Sequence, residues 1–425
     1  VISVPRVARR PLPLLVPSPH GEHQKYACRD CPARCCKTWG VQLSPEEAER
    51  IARDPEAVAR LSGRAPQILA GGKLPMRERA GELACVFLDD DDLCSLHKRH
   101  GHAFLPRACQ AYPFGVSQNE AGAEVALLSR YCPSIAQNYG DPVGQVLAQQ
   151  RKHLDPPRPL SARMGLRSGR TLPLSQYIAV VEAWRRELAS STNLARSLAR
   201  LFALTEAVDQ ALPSQHAPSD QEFTPLLASA DQATPHPDLT VKRQKWGARV
   251  LVAHLLGALC RPLRLMQPFN LAPVTLGQHV RAAWVRLKWL LGKGRVELLL
   301  IDTPIALGAL GRVQGALNGP HAPLIAAYLS EVLARRQGMH KQTYLHRFVI
   351  ELGLLALILS RYARAHALGR GQTTLDEAAV REGIGIAELV LTHQGELGQS
   401  LVLDQLRLQL LSNPEDFFGL LAGEQ

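Results

Sequence analysis

Cysteine is the residue type in this chain whose number and spacing could do chemistry. Eight of the nine, Cys28, Cys31, Cys35, Cys36, Cys85, Cys94, Cys109 and Cys132, fall within 105 residues, and the other 320 residues hold only Cys260. The spacing is Cys28-x2-Cys31-x3-Cys35-Cys36, then a gap of 48 residues, then Cys85-x8-Cys94-x14-Cys109-x22-Cys132. Two thiolates separated by two residues can point into one site from a tight turn, because the peptide curls around the ion and offers its amides to the sulfurs. That spacing therefore recurs in zinc and iron–sulfur sites. A single pair is a weak signal; three close thiols with an adjacent fourth, followed by four more, are a strong one. The side chains of Cys35 and Cys36 diverge, so one small tetrahedral ion is rarely served by both. Eight thiols allow two four-cysteine sites, or one cluster with several structural thiols. Zinc fingers and ribbons bring two short-spaced pairs, and here only Cys28/Cys31 is such a pair. The expectation tilts toward an iron–sulfur cluster, of the 4Fe-4S type, over zinc. Buried unliganded or disulfide-bonded cysteines are the third alternative.

The rest of the chain must position these thiols. With 425 residues, 46% hydrophobic and 20% charged, the sequence describes a globular protein of two or three domains and excludes a small stapled module. The formal charge of +11 invites a nucleic-acid reading. Its distribution argues against one: residues 1–170 carry 24 basic and 17 acidic residues, so there is a mild gradient and no basic block. The densest basic stretch, Arg151 to Arg170, contains Pro156, Pro157 and Pro159 and reads as a linker. No apolar run approaches the roughly 18 residues of a membrane span. Prolines also interrupt the stretch after Arg10, against a signal peptide. The expectation is a cytoplasmic protein with no membrane partner, in a reducing compartment where eight cysteines hold metal rather than disulfides.

The fold class expected is mainly α, with a small irregular cysteine-rich metal-binding N-terminal domain, α+β or loop-rich, followed by an all-helical domain. A Pro-rich arm spans 1–27, the cysteine domain 28–150, a basic linker 151–172 and the helical domain 173–425. Ser44-Pro45-Glu46-Glu47 is a capping box that starts a helix, and Asp54-Pro55-Glu56 starts a second. Leu83–Leu88 and Val125–Leu128 read as strands, with Asp89–Asp92 as the turn between strands. Beyond the linker, apolar spacings of three and four predict helices over 176–189, 193–211, 241–263, 276–291, 323–336, 342–368, 375–392 and 401–411. Loops such as Pro213–Pro237 separate them.

The words around the cysteines carry a resemblance. Cys28-x2-Cys31-x3-Cys35-Cys36-x2-Trp39, Cys85-Val-Phe-Leu-Asp-x4-Cys94-Ser-Leu, Ala108-Cys109-Gln110-Ala111-Tyr112-Pro113-Phe114 and Tyr131-Cys132-Pro133 resemble the YkgJ-type cysteine-cluster family of zinc- or iron-chelating proteins. The relatives of that family include flagellin lysine-N-methylases. The likeness covers 28–140, and Gln110 stands where these proteins usually have Arg. The chain's length, Trp39 and the late Cys-Pro are similar to the methylase branch. The resemblance implies an iron–sulfur or zinc site at the eight cysteines of a bacterial protein. For an enzyme of that branch it implies S-adenosylmethionine as methyl donor and a protein lysine as substrate. The alternative is a non-enzymatic structural or redox-sensing module whose helices bind a protein partner.

Other candidates are weaker. His97, His100 and His102 follow Cys94 and could complete a mixed site, but Lys98 and Arg99 between them favour an exposed helix end. Asp89–Asp92 reads as a solvated turn before a cation site. Gly308-x2-Gly311-x3-Gly315 and Gly383-Ile-Gly385 read as turns or close packing rather than as a methyl-donor cradle. Trp284 and Trp289 read as boundary and buried positions of one helix.

Overall fold

The structure, a computed structural model, describes residues 24–28, 33–38, 40–79, 82–118, 124–156, 163–213, 218–239, 246–260, 275–314, 317–334, 344–392 and 414–423. Most of the Pro-rich arm, Cys31, Trp39 and the helix expected over 401–411 lie outside them.

The N-terminal part is built from short elements because caps, prolines and glycines keep interrupting it. Helices α1 (Arg34–Thr38), α2 (Pro45–Ala52), α3 (Pro55–Arg60), α4 (Ala65–Leu69), α5 (Ser95–His100), α6 (Arg107–Ala111), α7 (Pro133–Gln137) and α8 (Val143–Gln150) alternate with strands. The strands are β1 (Lys25–Tyr26), β2 (Val41–Gln42), β3 (Lys73–Leu74), β4 (Met76–Arg79), β5 (Glu82–Cys85), β6 (Phe114–Gln118), β7 (Glu124–Leu128) and β8 (Asp141–Pro142). They pair only as two-stranded antiparallel ladders, β1 with β8, β2 with β3, β4 with β5 and β6 with β7. Both expected caps form. The Glu47 amide donates to Ser44 Oγ (3.2 Å) while the Ser44 amide donates to Glu47 Oε2 (2.8 Å). The Asp54 carboxylate accepts from the Glu56 and Ala57 amides (3.0 Å each).

One expectation is corrected. Asp89–Asp92 does not join two paired strands, since β5 ends at Cys85 and pairs backward with β4, and β7 pairs with β6. The turn is closed instead by a bridge between Leu88 and Cys94 and by the Asp89 amide donating to Leu93 O (2.9 Å). The acidic turn thereby returns Cys94 to the side of Cys85.

From residue 174 onward the described residues are mainly helical: α9 (Leu174–Ala189), α10 (Leu194–Ala211), α11 (Asp220–Ala233), α12 (Trp246–Gly257), α13 (Leu276–Leu291), α14 (Ala322–Ala334), α15 (Leu345–Gly369), α16 (Glu377–Thr392) and α17 (Pro414–Ala422). Two short ladders accompany them, β9 (Arg163–Gly165) with β10 (Thr171–Pro173) and β11 (Arg295–Val296) with β12 (Ile305–Ala306). The basic stretch after Arg151 therefore includes a hairpin. Its Arg170 guanidinium donates to Asp209 O (2.8 Å) and Leu212 O (2.5 Å), filling carbonyls that the end of α10 leaves open.

Helix α15 is the axis of this region. It has 25 residues and is buried around nearly its whole circumference, which an apolar-all-round helix requires. Against it lie α10, α16 and α17. The segment Pro213–Pro237, expected as a loop, contains α11. Ser219 and Glu222 form a reciprocal capping box, and Phe223, Leu227 and Ala230 face the core, but Pro225 inside the helix hides the period. Helix α17, whose Phe417, Phe418, Leu420 and Leu421 are buried, has no counterpart among the expected elements.

Two ion pairs, one half-buried and one buried, join the cysteine-bearing part to the helices. Arg34 Nη2 lies 2.7 Å from Glu382 Oε2, and Arg130 Nη2 lies 3.0 Å from Glu331 Oε2. Arg381 Nη1 also donates to Ala136 O (3.0 Å).

Gly383 sets the closeness of α16 to α15. A Cβ there would stand 2.6 Å from Leu359 O and 3.2 Å from the Ala363 Cβ. Gly383→Ala should destabilise the protein by about 1–3 kcal/mol through overpacking, read as a lower urea midpoint with an unchanged slope.

Candidate metal centre

Five short segments bring six of the predicted thiols to one place. Cys28 follows β1, Cys35 and Cys36 sit in α1, Cys85 ends β5, Cys94 caps α5 and Cys109 lies in α6. All six line one cavity of about 120 Å³. Its other walls are mostly apolar, including Met76, Phe87, Leu96 and Leu105, with Asp92, His97 and Tyr112 as polar members. A single water needs roughly 10–15 Å³ of such space, so the chamber is far larger than a void around one ion. Cys35 Sγ and Cys36 Sγ are 3.9 Å apart. Among the described residues no three His, Cys, Asp or Glu side chains are gathered tightly enough to hold one ion. The thiols surround a volume rather than a point.

The electrostatics are those of crowded thiols, with no Lys or Arg among the described residues of the wall. Burial, reinforced by Cys94, pushes Cys85 up to about 12 despite an opposing hydrogen bond from the Phe87 amide. Burial and the neighbours Cys85, Cys35 and Cys94 push Cys109 well up. The hydrogen bond with Cys36 is the first cause that raises Cys35, and burial adds to it. The same bond favours a Cys36 thiolate, but burial together with Cys85, Cys109 and Cys94 outweighs it and Cys36 is also raised. Burial raises Cys94 against hydrogen bonds from the His97 and Leu96 amides. Thiolates are the metal-binding form, and a bound cation reverses this balance outright. A soft, all-sulfur donor set with amides directed at Cys85 and Cys94 fits zinc or iron–sulfur ligation.

The remaining predicted ligands separate. Cys132 is buried at the start of α7 and does not line the chamber. It lies close to Tyr26 and Tyr112, whose hydroxyls are raised by burial first and then by the charge of Cys132 and of Cys28 or Cys35. Tyr26 also hydrogen-bonds Cys28, so the two tyrosines connect Cys132 to the chamber. Cys31 lies outside the described residues. Cys260 belongs elsewhere, accepting from Trp289 Nε1 (3.3 Å) and donating to Leu256 O (3.6 Å) inside the helical core.

The histidines divide as well. His97 reaches the chamber wall. His102 faces the rings of His97 and His153, and burial lowers its pKa with help from both. His100 is turned to Asp54, with Nε2 2.5 Å from Oδ2. The acidic turn is ion-paired rather than free. Lys98 holds Asp89 (2.8 Å) and Asp91 (2.6 Å), Arg79 holds Asp90 (3.2 Å), and Lys37 holds Asp92 (2.8 Å).

Asp54 is the residue that sequence reasoning took only as a helix start. Besides capping α3 it binds Arg99 Nη2 (2.5 Å) and His100, both on α5, and so fixes the helix whose first turn carries Cys94. The visible signal was the Asp-Pro-Glu cap; the second role depends on tertiary structure. Burial works to raise the Asp54 pKa, but Arg99, the Ala57 amide and His100 outweigh it and hold the carboxyl down at about 2.

Comparison with known proteins agrees with this donor set. Residues 27–133 match the family described as "CxxCxxCC: Putative zinc- or iron-chelating domain". The match falls on the cysteine-rich part of the chain and spans about a quarter of the sequence. An uncharacterized protein of Methanocaldococcus jannaschii is 25% identical over 111 residues, which is 26% of this chain and 37% of the relative. The chain therefore spans little more than a third of that relative's length. No solved structure matches. Among the described residues no helix is long and apolar enough to cross a membrane.

Asp54→Ala removes a cap, the ion pair with Arg99 and the contact with His100 at once and should cost about 2–4 kcal/mol near neutral pH. Because the folded pKa lies below the unfolded value of about 3.9, the charge stabilises above that pH and its contribution fades as pH falls toward 2. Urea unfolding of both proteins should show the gap closing over that acid window.

Proposed function

We propose that this is an iron–sulfur protein whose cysteine chamber holds a polynuclear cluster of the 4Fe-4S type, with Cys36, Cys85, Cys94 and Cys109 as the principal ligand set. Cys28, Cys35 and Cys132 lie by Tyr26 and Tyr112 and, together with Cys31, can complete the shell or form a second set. The observation that carries the reading is the convergence of six thiols on one chamber of about 120 Å³. Zinc draws four ligands to about 2.0–2.3 Å from one point. A cluster is a larger body that supplies its own bridging sulfides and spaces its thiolates more widely, and that fits the chamber better. When bound, the cluster supplies one-electron chemistry and a covalent rivet between segments that have little other reason to meet.

The role adopted is a structural or redox-sensing module with the helical region as its protein-binding part. Methyl transfer to a protein lysine, with S-adenosylmethionine as donor, remains what the methylase resemblance implies. The glycines considered for a donor site give it no support. Gly308 and Gly311 lie in a 3-10 segment after the two-residue β12, with open space where a Cβ would project. Gly383 and Gly385 lie within α16, packed on Leu359 O and Arg130 O.

Anaerobically purified protein should be coloured and contain iron and acid-labile sulfide. Cys36→Ser, Cys85→Ser, Cys94→Ser or Cys109→Ser should abolish the visible absorption, whereas Cys260→Ser keeps it. A colourless protein with stoichiometric zinc would overturn the cluster. The holo-protein, given labelled methyl donor and candidate proteins, should label no lysine; labelling would replace the module reading with the methylase one.

A further inference from the structure

Helix α13 opens with a reciprocal capping box between Thr275 and Gln278 and ends at Gly292, whose φ of 66° stops it. Ala282, Val285 and Trp289 form its buried face, and it packs mainly on α12. The opposite face is anomalous. Leu276, Val280, Trp284, Leu287 and Leu291 are 80%, 62%, 57%, 38% and 52% exposed. At 3.6 residues per turn they fall in one stripe about 80° wide. Seven large hydrophobic residues are exposed among the described residues, and these are five of them, so the stripe is not ordinary surface scatter. Trp284, expected at a boundary, is instead presented to solvent.

The charges around the stripe are one-sided. Arg281 and Lys288 border one edge, and Arg286 the other, while residues 276–296 contain no Asp or Glu. A second copy of the same helix would bring like charges together along both edges, which opposes self-association. The side chains form a straight ridge rather than a cleft, so they present a line to a flat partner. An apolar ridge with a central indole and basic borders is the arrangement of helices that lie in the interface of an anionic bilayer.

We propose that α13 is a peripheral docking surface for an anionic lipid bilayer, with the stripe set among the headgroups and the basic borders on the lipid phosphates. The proposal is independent of the metal centre. It departs from the sequence-based expectation of no membrane partner without calling for a spanning helix.

The full-length protein is mixed with vesicles of phosphatidylcholine alone or of phosphatidylcholine with phosphatidylglycerol, and binding is read by co-sedimentation. Binding should be on the order of tenfold or more tighter to the anionic vesicles and should weaken as salt is raised. Tryptophan emission should shift to the blue on binding, and Trp284→Phe should bind while losing most of that shift. Val280→Glu combined with Leu287→Glu changes only exposed positions; it should keep the helical circular dichroism and melting temperature and lose binding by at least about tenfold. No binding to anionic vesicles, or equal binding by the folded double variant, would overturn the proposal. So would protection of Trp284 from iodide quenching in the free protein, which would mean that this chain already covers the stripe. Binding of an acidic amphipathic peptide with no vesicle binding would assign the stripe to a protein instead.

Discussion

Thiols gathered in a volume of low polarity cannot share that volume as thiolates unless a cation shares it too. The N-terminal part of this protein is arranged around that constraint. Its strands pair in twos, its helices are five to eight residues long, and its apolar residues divide into small separate clusters. Elements of that size gain little from backbone cooperativity or from a common core. What they have in common is that α1, β5, α5 and α6 each deliver a sulfur to one chamber. A metal centre bonded to all of them would supply the long-range connectivity that hydrophobic burial supplies elsewhere. The cap at Asp54 and the ion-paired acidic turn serve the same end, because they fix the approach of Cys94 from both sides of α5.

The helical region follows different physics, with a continuous core centred on α15. The two regimes meet through charge. Arg34 is the immediate neighbour of Cys35 and pairs with Glu382 on α16, while Arg130 lies two residues before Cys132 and pairs with Glu331 on α14. Pairs withdrawn from water to this degree are weak sources of net stability, because desolvation consumes most of the attraction, but they penalise misregistration heavily. They therefore set the orientation of the chamber on the helices. They also mean that a change at α1 on metal binding or loss would act directly on Glu382. A sensing role needs such a physical link.

How much of this was legible in the sequence follows from how local each cause is. The capping box at Ser44 and the cap at Asp54 act within four residues and were readable as motifs. The long helices announced themselves through period. Helix α11 did not, because Pro225 falsifies the local rule while tertiary burial of Phe223 and Leu227 sustains the helix. That six of the cysteines meet in one chamber was foreshadowed by their crowding in the sequence. Their grouping was not: that Cys132 stands behind Tyr26 and Tyr112 while six others share a cavity depends on contacts between residues about a hundred positions apart. The second role of Asp54, holding Arg99 and His100, is non-local in the same way.

Net charge shows the same limit from the other direction. An excess of +11 over 425 residues looked compositional because no block of the sequence concentrates it. Charge density in sequence is not charge density on a surface, however. On α13 the helical period places Arg281 and Lys288 along one edge of an apolar ridge and Arg286 along the other, without an acid between residues 276 and 296. These three cations are ordinary in a list of counts; fixed on one exposed helix beside five uncovered apolar residues, they define a directional surface. Partners respond to the local field, which decays over about 8 Å at physiological ionic strength, and not to the average over the chain.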